Sequence, residues 1–399
     1  MNRKDDEAIQ SGNNAEVATA GKKGEENRQD RARRYDRLHN WLFLADIGVM
    51  ALLLAGLMWG GPRGLSFAIE RKVGELIGMN PWGITAGYLV VVSIIYSLLL
   101  LPYSWWKDYY LEHTYELSNQ TMLNWLWDQV KSWLLTVAVG VFIFEIFYAL
   151  LRNTGGYWWI WAAGVWILLQ VVMGMLFPVI ILPIFYKTTR LERQDLEETV
   201  KRLAHEAGAR IVGIFRLDLS EKTRKANAML AGLGKTKRIL LGDTLLNEFS
   251  QEEIISVLAH EFGHYYHRHI HKLIGIASIA ALGGMWIADL VLRGSANWLG
   301  IEAIDTVATV PLILFALFLF SLVTMPITNL ISRWFERQAD RYALETTKNP
   351  EAFISAMERL ADQNLANKEP HPVIEYLLHS HPSIARRISF ARAWRSQND

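Results

Sequence analysis

The chain contains no cysteine among its 399 residues. This absence excludes disulfide bonds, thiolate metal ligands and a cysteine nucleophile, so any metal must be held by histidine, carboxylate or backbone oxygen. An excess of charge of either sign is also missing, because 41 basic and 40 acidic side chains give a formal net charge of +1. That balance argues against a strongly basic nucleic-acid-binding protein, and we expect no nucleic-acid partner.

Charged residues are nearly absent from several long segments and are dense between them, which is the pattern of a membrane protein. About 20 mostly apolar residues are needed to cross the hydrocarbon core of a bilayer. Six segments meet this requirement: 41–60, 84–103, 133–151, 158–186, 273–292 and 306–327. Pro178 and Pro183 predict a kink or an early end in the fourth span. Glu145, inside the third span, is expected to face a cavity, and Asp289 is expected to pair with Arg293.

The predicted spans divide the chain into regions on two sides of a membrane. Residues 1–37 carry nine basic and eight acidic side chains and predict a disordered tail. Five arginines lie between positions 28 and 37, so the positive-inside rule places this tail in the cytoplasm. The remaining regions are a membrane region with four spans (38–186), a cytoplasmic region (187–271), a membrane hairpin (272–327) and a second cytoplasmic region (328–399).

Region 187–271 has the periodicity of a helix followed by short strands and a further helix. The helix is predicted at 191–207, and the strands near 211–219 and 238–241. Helix breaks are predicted at Asn349-Pro350 and His371-Pro372 in the last region.

The strongest chemical signal is the pentapeptide HEFGH, which begins at His260. Ser250 and Glu253 have the spacing of a capping box and predict the start of the helix that carries it. His260 and His264 are about one turn apart, so both imidazoles can bind one metal ion. Glu261 is placed to act as general base on a water, as in zinc peptidases. The alternative is a helix with two surface histidines.

Catalytic zinc usually takes three protein ligands, and Glu336 is the candidate for the third. Asp340 lies one turn later and is expected to accept the distal N–H of a ligating histidine. If the helices of the membrane hairpin continue out of the bilayer, they bring Glu336 beside the motif histidines. The alternative is an exposed helix with Glu–Arg pairs. We interpret three further histidines as side chains at the membrane boundary: His267, His269 and His271.

The segment AGLGKT at 231–236 is similar to a phosphate-binding loop. The motif requires a glycine five residues before Gly234, and that position holds Met229. We therefore expect no nucleotide partner.

Several motifs, in order, carry a family resemblance. They are LEHTYELSNQT (111–121), Asn227-Ala228, KTKRI (235–239) with DTLL (243–246), HEFGH (260–264), Ser332-Arg333 with Glu336 and Ala339-Asp340, and Ser380-His381-Pro382 with Arg386-Arg387. Over roughly 85–390 the chain resembles the type 1 CAAX prenyl proteases, which are integral-membrane zinc endopeptidases. The resemblance implies a mainly α, multi-pass membrane protein. Its cytoplasmic zinc protease domain would be gluzincin-like and contain a small β-sheet.

The resemblance also implies the roles of individual residues. One Zn²⁺ per chain is bound by His260, His264 and Glu336, and Glu261 is the base. His381 and Arg387 approach the scissile carbonyl and stabilise its oxyanion. The substrate-binding residues are Asn227 and Ala228, on an edge strand that pairs with an extended substrate.

The family has seven spans around a large water-filled chamber, and six are counted here; the seventh would lie within 61–83. The implied partners are the lipid bilayer and a membrane-associated or prenylated peptide or protein. The active site is expected on the cytoplasmic side, in the cell membrane of a prokaryote or the endoplasmic reticulum membrane of a eukaryote. Two alternatives stay open: a membrane quality-control endopeptidase without a lipid requirement, and a zinc transporter or scaffold.

Overall fold

The computed structural model describes the backbone of residues 3–78, 80–191 and 193–398. Side chains are described for residues 28–78, 80–191, 193 and 196–398. Among the described residues up to 187, the helices are α1 (Arg3–Met58), α2 (Leu65–Ile77), α3 (Pro81–Ser104), α4 (Leu111–Thr114), α5 (Met122–Asn153), α6 (Trp158–Leu176) and α7 (Leu182–Phe185).

A small sheet and eight further helices follow in the described part of the chain. The strands are β1 (Thr188–Arg190), β2 (Ile214–Leu217), β3 (Ala228–Ala231) and β4 (Arg238–Gly242). The helices are α8 (Gln194–Glu206), α9 (Asp243–Glu248), α10 (Gln251–Tyr266), α11 (His269–Leu299), α12 (Val310–Thr347), α13 (Pro350–Gln363), α14 (Pro372–Leu378) and α15 (Ile384–Asn398).

Six helical segments among the described residues are long and apolar enough to cross a membrane. Each coincides with one of the predicted spans, which confirms a multi-pass membrane protein. Near the two prolines of the fourth span the helix turns π-helical at Phe177–Ile181, and it ends at Phe185. Asp289 pairs with Arg293 as expected, at 2.8 Å, and also accepts a hydrogen bond from Trp158 Nε1 at 2.5 Å.

Helices α5, α6, α11 and α12 line an open, apolar cavity of about 660 Å³. Phe144, Trp166, Ile276 and Phe320 are among its lining residues. Glu145 follows Phe144 on α5 but is not among the residues that line this cavity. Its buried Oε2 has no hydrogen-bond partner among the described residues.

The N-terminal segment differs from the predicted disordered tail. Helix α1 runs without a break from Arg3 through the first span. Within 28–37 its side chains pack on the protein: Ala32 and Tyr35 are buried in a cluster with Leu117 and Leu365. Apolar contacts to distant parts of the chain therefore hold the part of α1 at 28–37 against the protein.

The four-stranded sheet has the order β1-β2-β4-β3, which leaves β3 at an edge. β3 runs antiparallel to β4, and β2 runs parallel to β4. The strands predicted near 211–219 and 238–241 correspond to β2 and β4, and α8 corresponds to the helix predicted at 191–207.

One hydrophobic core joins the two regions that the membrane hairpin separates in the sequence. Leu203 of α8, Leu241 of β4 and Leu258 of α10 pack in the same cluster as Phe353 of α13 and Ala391 of α15. Asn349 and His371 cap α13 and α14, so both predicted breaks are present. Residues 187–271 and 328–399 therefore form a single folded unit.

Candidate metal centre

Helix α10 carries the two motif histidines and begins at the predicted capping box. Ser250 Oγ accepts a hydrogen bond from the Glu253 backbone N–H (3.3 Å), and Glu253 Oε2 accepts one from the Ser250 N–H (2.7 Å). Glu253 Oε1 also accepts hydrogen bonds from Ser355 (2.5 Å) and Arg359 (3.2 Å) of α13. The start of α10 is therefore fixed both locally and by the C-terminal region.

Close packing of α10 on α12 brings Glu336 beside His260 and His264. Gly263 permits the approach, because a Cβ atom at that position would lie 2.9 Å from the Cα of Ala339. The candidate ligand atoms of the three residues all lie within 4.8 Å of one another. Glu336 Oε1 is 3.3 Å from His264 Nε2, and Glu336 Oε2 is 3.3 Å from His260 Nε2.

The motif helix does not continue into the fifth span, unlike the continuous helix that the prediction assumed. It ends at Tyr266, and Arg268 has a φ of 55°, in the left-handed region that residues other than glycine rarely adopt. The resulting turn brings His269 back against His264, and His269 is 0% exposed. His269 is therefore part of the surroundings of the site, and its interpretation as a side chain at the membrane boundary is wrong.

The arrangement of charged and polar groups around the candidate ligands is suited to binding a cation. The Nε2 atoms of His260 and His264 are only 3.2 Å apart, so unprotonated rings would direct their lone pairs at each other and at Glu336. Burial alone would lower the pKa of His260, but hydrogen bonds to the carboxylates of Asp340 and Glu336 raise this pKa to about 9. Two imidazoles and one carboxylate are also a ligand set of catalytic zinc sites that keep a fourth position open.

Asp340 lies on the far side of the His260 ring. Its Oδ1 is 2.8 Å from His260 Nδ1. Arg387 donates to both carboxylate oxygens of Asp340, at 2.9 and 2.5 Å, and its Nη2 is 3.2 Å from His260 Nδ1. The guanidinium is therefore engaged by Asp340. Contact between Arg387 and a scissile carbonyl stays a prediction.

His381 lies on the open side of the site. Its side chain is 61% exposed, and its Nδ1 is 2.9 Å from Glu336 Oε2. The preceding segment is held by Arg333, a buried residue of α12 that donates to the carbonyls of Glu375 (3.1 Å) and His379 (2.5 Å). Helix α12 thus carries both Glu336 and Arg333, the residue that holds the segment before His381.

The free edge of the sheet lies next to Glu261. The Gly242 N–H donates to the Asn227 carbonyl at 2.9 Å, so that carbonyl faces β4. The main-chain N–H and C=O groups of successive residues point to opposite sides of a strand. Those of Ala228 and Leu230 therefore face the free edge. The Leu230 N–H donates to Glu261 Oε2 at 3.2 Å. Glu261 therefore lies between the candidate metal ligands and an edge strand, and Asn227 immediately precedes that strand.

Sequence models of known protein families match most of the chain. The model described as "CAAX prenyl protease N-terminal, five membrane helices" matches residues 21–187. The sequence model of peptidase family M48 matches residues 190–395, which is more than half of the chain. The chain belongs to peptidase family M48. Within 21–187, the M48 chain has four span-length helices and the shorter α2.

Individual relatives agree with membership of family M48. The "Uncharacterized metalloprotease YhfN" of Bacillus subtilis is 30% identical over 90% of this chain and 84% of its own. "CAAX prenyl protease 1" of Saccharomyces cerevisiae is 29% identical over 76% of this chain and 70% of its own. The crystal structure of S. mikatae Ste24p superposes with a TM-score of 0.81 at 25% identity, covering 92% of this chain and 89% of that one. The M48 chain is therefore an integral-membrane metalloendopeptidase.

We expect Gly263→Ala to disturb the metal centre through helix packing. The added Cβ would meet the backbone of Ala339 at 2.9 Å, so α10 and α12 must separate. Overpacking of this kind typically costs about 1–3 kcal/mol. The variant should therefore unfold at a lower temperature in detergent and bind zinc more weakly. Gly275→Ala on α11 is the control, because its Cβ would meet nothing within 4 Å. Equal melting and zinc affinity in the two variants would contradict the expectation.

Proposed function

We propose that this metalloendopeptidase uses one zinc ion held by His260, His264 and Glu336. The observation that carries the proposal is the meeting of these three side chains beside Glu261 and the free edge of β3. Zinc at this position would supply a Lewis acid that polarises the scissile carbonyl and makes water a nucleophile at neutral pH.

Glu261 is the proposed general base. Its carboxylate takes a proton from the attacking water and then delivers that proton to the amine of the leaving peptide. Asp340 holds Nδ1–H of His260, which leaves Nε2 free to bind the metal. Arg387 in turn orients the Asp340 carboxylate through two hydrogen bonds.

The substrate is proposed to lie as an extended strand along β3. The outward main-chain groups of Ala228 are available for pairing, and main-chain hydrogen bonds align a peptide without regard to its sequence. Asn227 is exposed next to this edge, where its side chain can contact the substrate. The exposed His381 is the proposed donor to the oxyanion, since a protonated or N–H imidazole stabilises the charge that develops there.

We further propose that the substrates are membrane-associated peptides and that prenylated ones are preferred. The apolar cavity between α5, α6, α11 and α12 supports this preference, since it includes Thr328 and Ile331 on the same helix as Glu336. The arginines at 28–37 favour a cytoplasmic active site. The membrane would be the cell membrane in a prokaryote and the endoplasmic reticulum membrane in a eukaryote.

Cleavage of a matched peptide pair tests the proposal. Peptides of one sequence, farnesylated or unmodified at the same cysteine, are incubated with purified, zinc-loaded protein, with Glu261→Gln as the blank. Burying only two methylene groups at about 0.8 kcal/mol each gives about a tenfold preference. We therefore expect kcat/KM to be about tenfold or more higher for the farnesylated peptide.

The other outcomes separate the alternatives. Equal cleavage of both peptides would indicate a general membrane endopeptidase without a lipid requirement. Cleavage of neither peptide by zinc-loaded protein would contradict the proposed peptidase mechanism.

A further inference from the structure

The two candidate histidine ligands have different partners on their far sides. His260 Nδ1 is next to the carboxylate of Asp340. His264 Nδ1 instead lies 3.0 Å from Nδ1 of His269, and His269 Nε2 lies 2.8 Å from Oε1 of Gln338. A series of side chains without a carboxylate thus runs from His264 through the first residue of α11 to α12.

The positions of the protons in this series of hydrogen bonds can be assigned by starting from Gln338. With the Gln338 amide oriented so that its oxygen faces the ring, this oxygen can only accept, and Nε2 of His269 then carries the proton and donates it. Nδ1 of a neutral His269 is then an acceptor, and the hydrogen bond at 3.0 Å requires His264 Nδ1–H as donor. The lone pair of His264 is therefore on Nε2, the atom that faces Glu336.

The position of the His269 ring is tightly fixed. The residue is 0% exposed, and its ring stacks on Phe335 with centroids 4.2 Å apart and planes 11° apart. The left-handed backbone of Arg268 turns the chain so that α11 begins directly against α10. A buried imidazole with both nitrogens paired can hold the ring of His264 in one orientation.

We propose that His269 is a positioning residue for the metal centre: it fixes the tautomer and ring orientation of His264 so that Nε2 is presented to zinc, with Gln338 setting the direction of the hydrogen bonds. The proposal rests on the proposed zinc ligation by His260, His264 and Glu336. It makes the two histidine ligands unequal, one backed by a carboxylate and the other by neutral groups.

The test is the zinc dissociation constant of the full-length protein in detergent, measured by competition with a chelating dye. His269→Phe keeps the stacking on Phe335 but removes the acceptor, and we expect zinc to bind about 10–100-fold more weakly, as for other outer partners of metal-bound histidine. His269→Asn offers a carbonyl acceptor and should recover most of this loss. His271→Phe, an exposed neighbour on the same helix, is the matched control and should bind zinc like wild type.

Gln338 provides an independent pair of variants if His269→Phe does not fold. Gln338→Glu keeps a pure acceptor and should bind zinc at least as tightly as wild type, whereas Gln338→Leu removes it and should weaken binding several-fold. Equal zinc affinity in the Glu and Leu variants would overturn the proposal. So would a folded His269→Phe that melts at a lower temperature without metal but binds zinc like wild type, since that result indicates a purely structural role.

Failure of the underlying zinc proposal has a different signature. If the wild-type protein itself binds no stoichiometric zinc, the assignment of the three ligands fails, and the positioning role of His269 fails with it. If wild type binds zinc and the His269 and Gln338 variants bind zinc with the same affinity, the zinc site stands and the positioning role fails.

Discussion

Glu261→Gln is expected to lower kcat by about 10²–10⁴-fold, the usual contribution of a general base, while the protein keeps its full zinc content. The amide is nearly the same size as the carboxylate but cannot accept a proton from water at neutral pH. The Glu261 side chain is not one of the three candidate metal ligands, and it already lies at the β3 edge through its contact with the Leu230 N–H. The measurement is kcat on a cleaved peptide together with zinc content per chain.

The control for this variant is Glu252→Gln, which makes the same chemical change on the same helix at an exposed position. Its activity should equal that of wild type. Retained turnover in Glu261→Gln would remove Glu261 from the mechanism. Loss of zinc together with turnover would instead assign it to the metal site.

Glu336→Gln is expected to reduce both zinc content and activity. The carboxylate is the only anionic group among the three candidate ligands, and it is 4% exposed. Its replacement by a neutral amide leaves a buried cation with two imidazoles and no anionic ligand. We expect the loss of zinc affinity to exceed the 10–100-fold that follows removal of an outer partner such as Asp340. Zinc content after dialysis and competition with a chelator measure the effect.

Glu345→Gln, exposed near the end of the same helix, is the matched control and should keep wild-type zinc content and activity. Added zinc should partly restore Glu336→Gln if the ligand is weakened rather than the fold lost. Wild-type zinc affinity in Glu336→Gln would show that the third ligand lies elsewhere.

The features that the sequence predicted well are those governed by local spacing. His260 and His264 share a helix face because 3.6 residues make a turn, and Ser250 and Glu253 start that helix through their own hydrogen bonds. The six spans follow from uninterrupted apolar composition. Glu336 could be placed because α12 continues unbroken from the membrane to Thr347.

The features that the sequence did not reveal depend on distant contacts. His269 reads as one of several histidines near a span, and only the left-handed turn at Arg268 brings it against His264. The helical form of 28–37 depends on packing against residues such as Leu117 and Leu365, far away in the sequence. The hydrogen bonds of Arg387 to the carboxylate of Asp340 join residues 47 positions apart, and the local sequence around Arg387 does not indicate them.

The single core that unites residues 187–271 with 328–399 determines when, during synthesis, the enzyme can become active. His260 and His264 leave the ribosome before the hairpin formed by α11 and α12, and Glu336 leaves after it. Both halves of the core, and the third candidate ligand, are together only once that hairpin has been threaded through the bilayer. A nascent chain therefore carries an incomplete site for as long as its insertion is incomplete.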